Sequence, residues 1–233
     1  MTPSSPLRVL FVNGNLGGHV TMHQHLERGL RGHEDVAASF LSVDRAGLAR
    51  EVLAARIPLL NRLDLDLKQL RFQIGVGVWV RSRLRGRLGQ FDVLHIYPHD
   101  VGLLCARFVR QMPTVVSLDA PNSESFLLLP YRRPTRWTPR ILRLSMRLEQ
   151  RLFRAATLIV AQSEWAARAL ERDYGIDRAK IRVIRFGIAQ PPEIAPAATE
   201  GVPQITFVGR TMGRKGGWRL LDVFGIGFAN SAA

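Results

Sequence analysis

The amino-acid sequence predicts an α/β protein built on a doubly wound, all-parallel sheet, with an incomplete second domain of the same kind after it. Three observations carry that expectation. Short β-branched or apolar runs alternate with helical patterns through most of the 233 residues. Glycines at Gly14, Gly17 and Gly18 fill the turn between the first such run and the first helical pattern. A proline- and alanine-rich stretch, "AQPPEIAPAATEGVP" (189–203), then separates this alternation from a fresh apolar run and helix start.

In chain order the expected strands are "LRVLFVN" (7–13), "VAASFLSV" (36–43), "DVLHIY" (92–97), "TVVSLD" (114–119), "TLIVAQ" (157–162) and "IRVIRF" (181–186). Between them, helical patterns fall near 19–32, 46–57, 64–88, 101–111, 138–156 and 164–174. Strict β–α alternation implies parallel strands joined by crossovers and covered by helices, a Rossmann-like arrangement. The domain is bounded at residues 1–188, a linker at 189–203, and the start of a second domain at 204–233, where "QITFVGR" reads as a strand and "GGWRLLDVF" as a helix. No solenoid-type repeat is present.

Composition narrows the function classes. Apolar residues make up 46% of the chain, and no run is long enough to span a bilayer. No charged leader precedes a long hydrophobic stretch, and the single Cys105 fits a reducing compartment, so the expected location is the cytoplasm. A formal charge of +14 points to anionic partners, but all but three of the 33 basic residues are arginine, a skew that GC-rich coding alone produces. Nucleic acid is a poor fit, because no RNP-like strand, zinc finger or recognition helix is evident.

The glycine turn lies where a doubly wound sheet binds ligands beyond its strand ends. Gly17, Gly18 and the adjacent His19 are candidate ligand contacts, since glycines let a backbone approach closely and helix N-termini attract anions. The same glycines also suit a tight turn with no ligand. Their spacing is not G-x-G-x-x-G, and no acidic residue ends the second strand, so a dinucleotide site is disfavoured. His19 and His23 are one helical turn apart, yet no third ligand is placed for a metal, and none is expected.

Together these segments resemble the family-4 glycosyltransferases of the two-Rossmann GT-B fold. The resemblance is carried by "GGHVTMHQHLERGLRGHEDV", by "FDVLHIY", and most specifically by "LIVAQSEWAARALERDYGIDRAKIRVIRFGI". "ITFVGRTMGRKGGWRLLDVF" is similar to the opening of the family's donor-binding domain. The resemblance implies retaining transfer of a sugar from a nucleotide-sugar, a co-substrate rather than a cofactor, to an acceptor hydroxyl on a glycan or lipid-linked sugar. On that carry-over, Arg210 and Lys215 hold the donor diphosphate, and the first domain cradles the acceptor around Gly17, Gly18 and His19. Many relatives carry a cleft histidine where this sequence has Asp119, which becomes the catalytic candidate; an Asx-type turn before Pro121 is the plainer role. Ser163 reads as a helix N-cap. Family chains continue for a further domain's worth of residues with an E-x7-E pair, so the resemblance implies a truncated form. A non-catalytic binding module and one half of a split enzyme are the alternatives.

Two arginine-rich segments raise a membrane question. Arg140, Arg143, Arg147, Arg151 and Arg154 form one stripe beside Ile141, Leu144, Leu148 and Leu152, while Arg81, Arg83, Arg85 and Arg87 flank Trp79. Such a helix either lies on an anionic bilayer, at the inner face of the membrane, or packs its leucines on the sheet and leaves its arginines in water.

Overall fold

A computed structural model describes residues 5–15, 19–43, 68–125, 135–187, 205–209, 212–213 and 215–229. The chain divides into two compact units, Met1–Leu127 with Pro134–Ala189, and Leu128–Arg133 with Gln190–Ala233. In the first unit, the described elements are β1 (Leu7–Asn13), α1 (His19–Leu30), β2 (Val36–Ser42), α2 (Lys68–Leu84), β3 (Val93–Tyr97), α3 (Ala106–Val109), β4 (Thr114–Leu118), α4 (Asn122–Ser125), α5 (Thr138–Ala155), β5 (Leu158–Ala161), α6 (Glu164–Tyr174) and β6 (Ile181–Val183). Short 3₁₀ turns cover His99–Gly102 and Arg178–Lys180.

The six strands form one sheet in the order β2-β1-β3-β4-β5-β6, every pairing parallel. Its central strands read as near-continuous apolar runs, as a sheet covered on both faces requires. Leu10, Val12, Leu94, Ile96, Val116, Leu118, Ile159 and Ala161 are buried, packed with Val80 and Leu84 of α2, Leu152 and Phe153 of α5, and Ala166, Ala167 and Leu170 of α6. Burying each large apolar side chain contributes roughly 1.5–3 kcal/mol. The expected fold class is observed.

Helix α6 shows how local sequence sets its ends. Ser163 accepts a hydrogen bond from the Ala166 N–H at 3.1 Å, the N-cap expected of it, and Gly175 closes the helix with φ +60°. That left-handed position suits glycine.

Several expectations are corrected. The single helix expected at 101–111 is a 3₁₀ turn followed by the short α3. Gly102 presses against Ile96 and Leu152, where an added Cβ would lie 2.9 Å from Ile96 Cγ2, so packing against the sheet sets this backbone. α4 was not expected, and the helix at 46–57 lies outside the described residues. On α5 the buried residues are Thr138, Leu142, Ser145, Glu149, Leu152 and Phe153. The leucine stripe packs only in part: Leu152 is buried and Leu148 rests half-buried on the core, while Leu144 is 44% exposed.

In the second unit, Ile205–Gly209 carries no ladder among the described residues, and Gln204 and Arg210, the ends of the expected strand, lie outside them. A strand needs a hydrogen-bonding neighbour, and the described part of this unit supplies none. The helix does form, as α7 (Gly217–Ala229).

The corrected face of α5 has a measurable consequence. Leu152→Ala should cost about 2–5 kcal/mol in chemical denaturation, because it empties a core position, whereas Leu144→Ala should stay within about 0.5 kcal/mol. Equal costs would show that Leu144 packs as deeply as Leu152.

Candidate functional site

Strand order creates the site. β1 and β3 are neighbours, but the chain leaves β1 toward β2 on one side and leaves β3 toward β4 on the other. Their following loops diverge, opening a crevice at the carboxyl ends of the two strands. Two contacts span it. The Gly14 N–H donates to the Tyr97 carbonyl at 2.7 Å, and His19 Nδ1 lies 2.6 Å from the Tyr97 hydroxyl. Position 14 has no room for a side chain, since a Cβ would lie 2.8 Å from Pro98 Cδ and 2.9 Å from Val101 Cγ1.

Tyr97 is buried, with its ring T-shaped to both His19 and Phe186. Burial raises its hydroxyl pKa, with Gln162 opposing through a hydrogen bond and the charges of Asp119 and Asp100 adding to the rise. The hydroxyl therefore stays protonated and able to donate. Asp119 sits one residue past β4, exposed, with Oδ1 accepting from the Ala120 N–H at 2.9 Å. That local turn leaves its carboxylate near enough to Tyr97, His99 and Asp100 to act on the titration of each.

Asp100 follows β3 with Oδ1 shielded and without a hydrogen-bond partner. Burial raises its carboxyl pKa; the imidazoles of His99 and His19 oppose the shift, and Asp119 and Glu149 add to it. The crevice thus combines an exposed carboxylate, a second acid biased toward its neutral form, a protonated phenol and an imidazole. Alternating donors and acceptors of this kind match a polyhydroxyl ligand.

Behind the crevice, a buried histidine fixes α1 to the sheet. His23 Nδ1 accepts from Asn13 Nδ2, while Nε2 donates to Glu27 Oε1 at 2.9 Å and lies 3.4 Å from Ser42 Oγ. His23 is thus a hydrogen-bonded core residue, and among the described residues no three metal-binding side chains come together. His95 on β3 lies 2.8 Å from Ser117 Oγ, and burial lowers its pKa to about 4.

Of the residues singled out from sequence, His19 and Asp119 come to the same end of the sheet. Gly17, Gly18 and Arg210 lie outside the described residues. Lys215, in the second unit, is exposed in the turn before α7. That turn is built on glycine: Gly216 has φ +81°, the Gly217 N–H donates to the Met212 carbonyl at 2.7 Å, and a Cβ on Gly217 would lie 2.7 Å from Met212 Sδ. Lys215 thus lies two residues before a helix start, and a lysine and a helix N-terminus both favour an anion.

Sequence reasoning missed Tyr97, His99 and Asp100. "FDVLHIY" marked a strand, and residues directly after a strand in a parallel sheet face the ligand edge, so "YPHD" carried the signal.

A doubly wound sheet with a polar crevice at its switch point defines an α/β protein that handles polar ligands beyond its strand ends. The chain belongs to Glycosyltransferase Family 4, whose family model matches residues 16–189. Its function is accordingly glycosyltransferase-like, with sugar donors and acceptors as the general substrates. No curated protein matches the chain.

Proposed function

We propose that the crevice binds the acceptor of a GT-B glycosyltransferase, which transfers a sugar from a nucleotide-sugar donor to the acceptor hydroxyl with retention of anomeric configuration. The observation that supports this best is the His19–Tyr97 bridge at the switch point, with Asp119 nearby. Asp119, when ionised, accepts a hydrogen bond from a sugar hydroxyl, while Tyr97 and His19 orient the acceptor. Arg210 and Lys215 offset the charge that builds on the departing diphosphate, the principal electrostatic task of such a reaction. The proposed residues supply this charge without a metal.

The purified chain, incubated with a panel of uridine and guanosine diphosphate sugars and methyl glycoside acceptors, should release nucleoside diphosphate only when acceptor is present. Arg210→Ala combined with Lys215→Ala should lower release by about 10²-fold or more. Background-level release with every donor would contradict the enzymatic reading and favour a binding module.

The outer face of α5 supports a second element of this reading, contact with an anionic membrane at the cytoplasmic face. Among the described residues no helix is long and apolar enough to cross a bilayer. Leu144, however, stands exposed among Arg140, Arg143, Arg147 and Arg151, and the Arg140 guanidinium lies 5.0 Å from the centre of the Trp137 ring. An apolar ridge with an arginine rim suits acidic headgroups. Cosedimentation with phosphatidylglycerol-containing vesicles should exceed that with phosphatidylcholine alone, weaken with salt and fall in Leu144→Glu. Indifference to lipid charge and salt would reject the contact.

A further inference from the structure

Beneath the crevice lies a polar assembly that the proposed chemistry does not use. Glu149, on the buried face of α5, is 0% exposed. Its Oε1 accepts from His99 Nε2 at 2.6 Å and from the Asn122 N–H at 2.9 Å, and its Oε2 accepts from the Tyr174 hydroxyl at 2.5 Å. The Tyr174 oxygen in turn accepts from the Ser123 N–H at 3.1 Å. Asn122 is held a second time through its side chain, which donates to Ser145 Oγ at 2.6 Å and accepts from Gln73 Nε2 at 3.4 Å.

A fully buried carboxylate is expensive, and an apolar side chain would satisfy the core at lower cost. The donors show what Glu149 does instead. His99 opens the turn after β3 and is followed directly by Asp100. Asn122 and Ser123 are the first residues of α4, just past Asp119 on the loop after β4. One carboxylate therefore fastens both loops that carry the acids of the crevice. α4, a four-residue helix, is too short to hold itself, and its first two N–H groups find their acceptors in Glu149 and Tyr174.

We infer that Glu149, with Tyr174 as its relay, is a positioning residue that clamps the β3 and β4 loops to α5 and α6 and so fixes Asp119 relative to Asp100. The use of that fixed spacing rests on reading the crevice as the acceptor site; the clamp itself does not. His99 is the titratable donor. Burial works against its charge, but the hydrogen bond and charge of Glu149, followed by the charges of Asp100 and Asp119, outweigh it and hold its pKa above the ordinary value. A histidine raised in the folded state contributes stability that is fully present below about pH 6.5 and is lost as pH rises through the folded value.

The test is amide hydrogen exchange by NMR on the full chain, together with the ¹⁵N shifts of the His99 ring. In Glu149→Leu, which removes the acceptor, the Asn122 amide should exchange at least about tenfold faster relative to the core Val116 amide, a selective loss for one hydrogen bond. The His99 pKa should also fall in that variant, because the carboxylate that raises it is gone. Tyr174→Phe removes one hydroxyl, should speed Ser123 selectively, and carries the test if Glu149→Leu does not fold. Exchange of Asn122 and Ser123 that only tracks Val116 would overturn the clamp. Neither readout needs turnover, so selective loss of protection in a chain that transfers no sugar would sink the functional reading and leave the clamp standing.

Discussion

Parallel pairing is the constraint on which the rest of the first unit depends. When every strand of a six-stranded sheet runs the same way, every strand ends on the same edge, and the residues just past β1, β3, β4 and β5 fall along one line. Reversal of strand order between β1 and β3 then splits that line, because the two loops leave in opposite directions. Gly14, His19, Tyr97, Asp100 and Asp119 are widely separated in sequence, yet backbone topology alone brings them to one crevice. Side-chain chemistry only has to act on a place that the sheet has already made.

The layers beneath that edge divide the work between apolar and polar contacts. Val12, Ile96, Val116, Leu118 and Ile159 exclude water and supply the drive to fold. They do so without direction, and loops resting on a purely apolar surface would have several comparable positions. The Glu149 network supplies the direction that the apolar core lacks. Hydrogen bonds at 2.5–2.9 Å are specific about angle as well as distance, and here they reach the backbone amide and the histidine that flank the two acids. His23 does the same for α1 through Asn13, Ser42 and Glu27.

Most of the sheet was legible in the sequence because buried parallel strands read as continuous apolar runs, and all six were located to within a few residues. The N-cap Ser163 was legible for a local reason, since cap chemistry spans only three residues. The buried face of α5 was legible only in part. Its apolar periodicity pointed to Ile141, Leu144, Leu148 and Leu152, of which Leu152 is buried, while the helix also turns Ser145 and Glu149 inward, and burial of a glutamate becomes intelligible only once its three donors are known. Such partners lie 25 to 50 residues away, beyond the reach of any pattern along the chain. Tyr97 and Asp100 were within reach, because they simply follow a strand that had been identified. The run at 205–209 had strand composition, but among the described residues it has no neighbour to pair with.

The central claim is that the carboxyl edge of the sheet between β1 and β4 recognises a sugar-type acceptor. Titration of the ¹⁵N-labelled chain with a series of methyl glycosides, followed by amide shifts, tests it most directly. The account predicts saturable shifts concentrated at His19, Tyr97, Asp100 and Asp119, diminished in Tyr97→Phe, with α5 and β6 unmoved. Shifts scattered over the surface, or centred away from the residues that follow β1, β3 and β4, would contradict it.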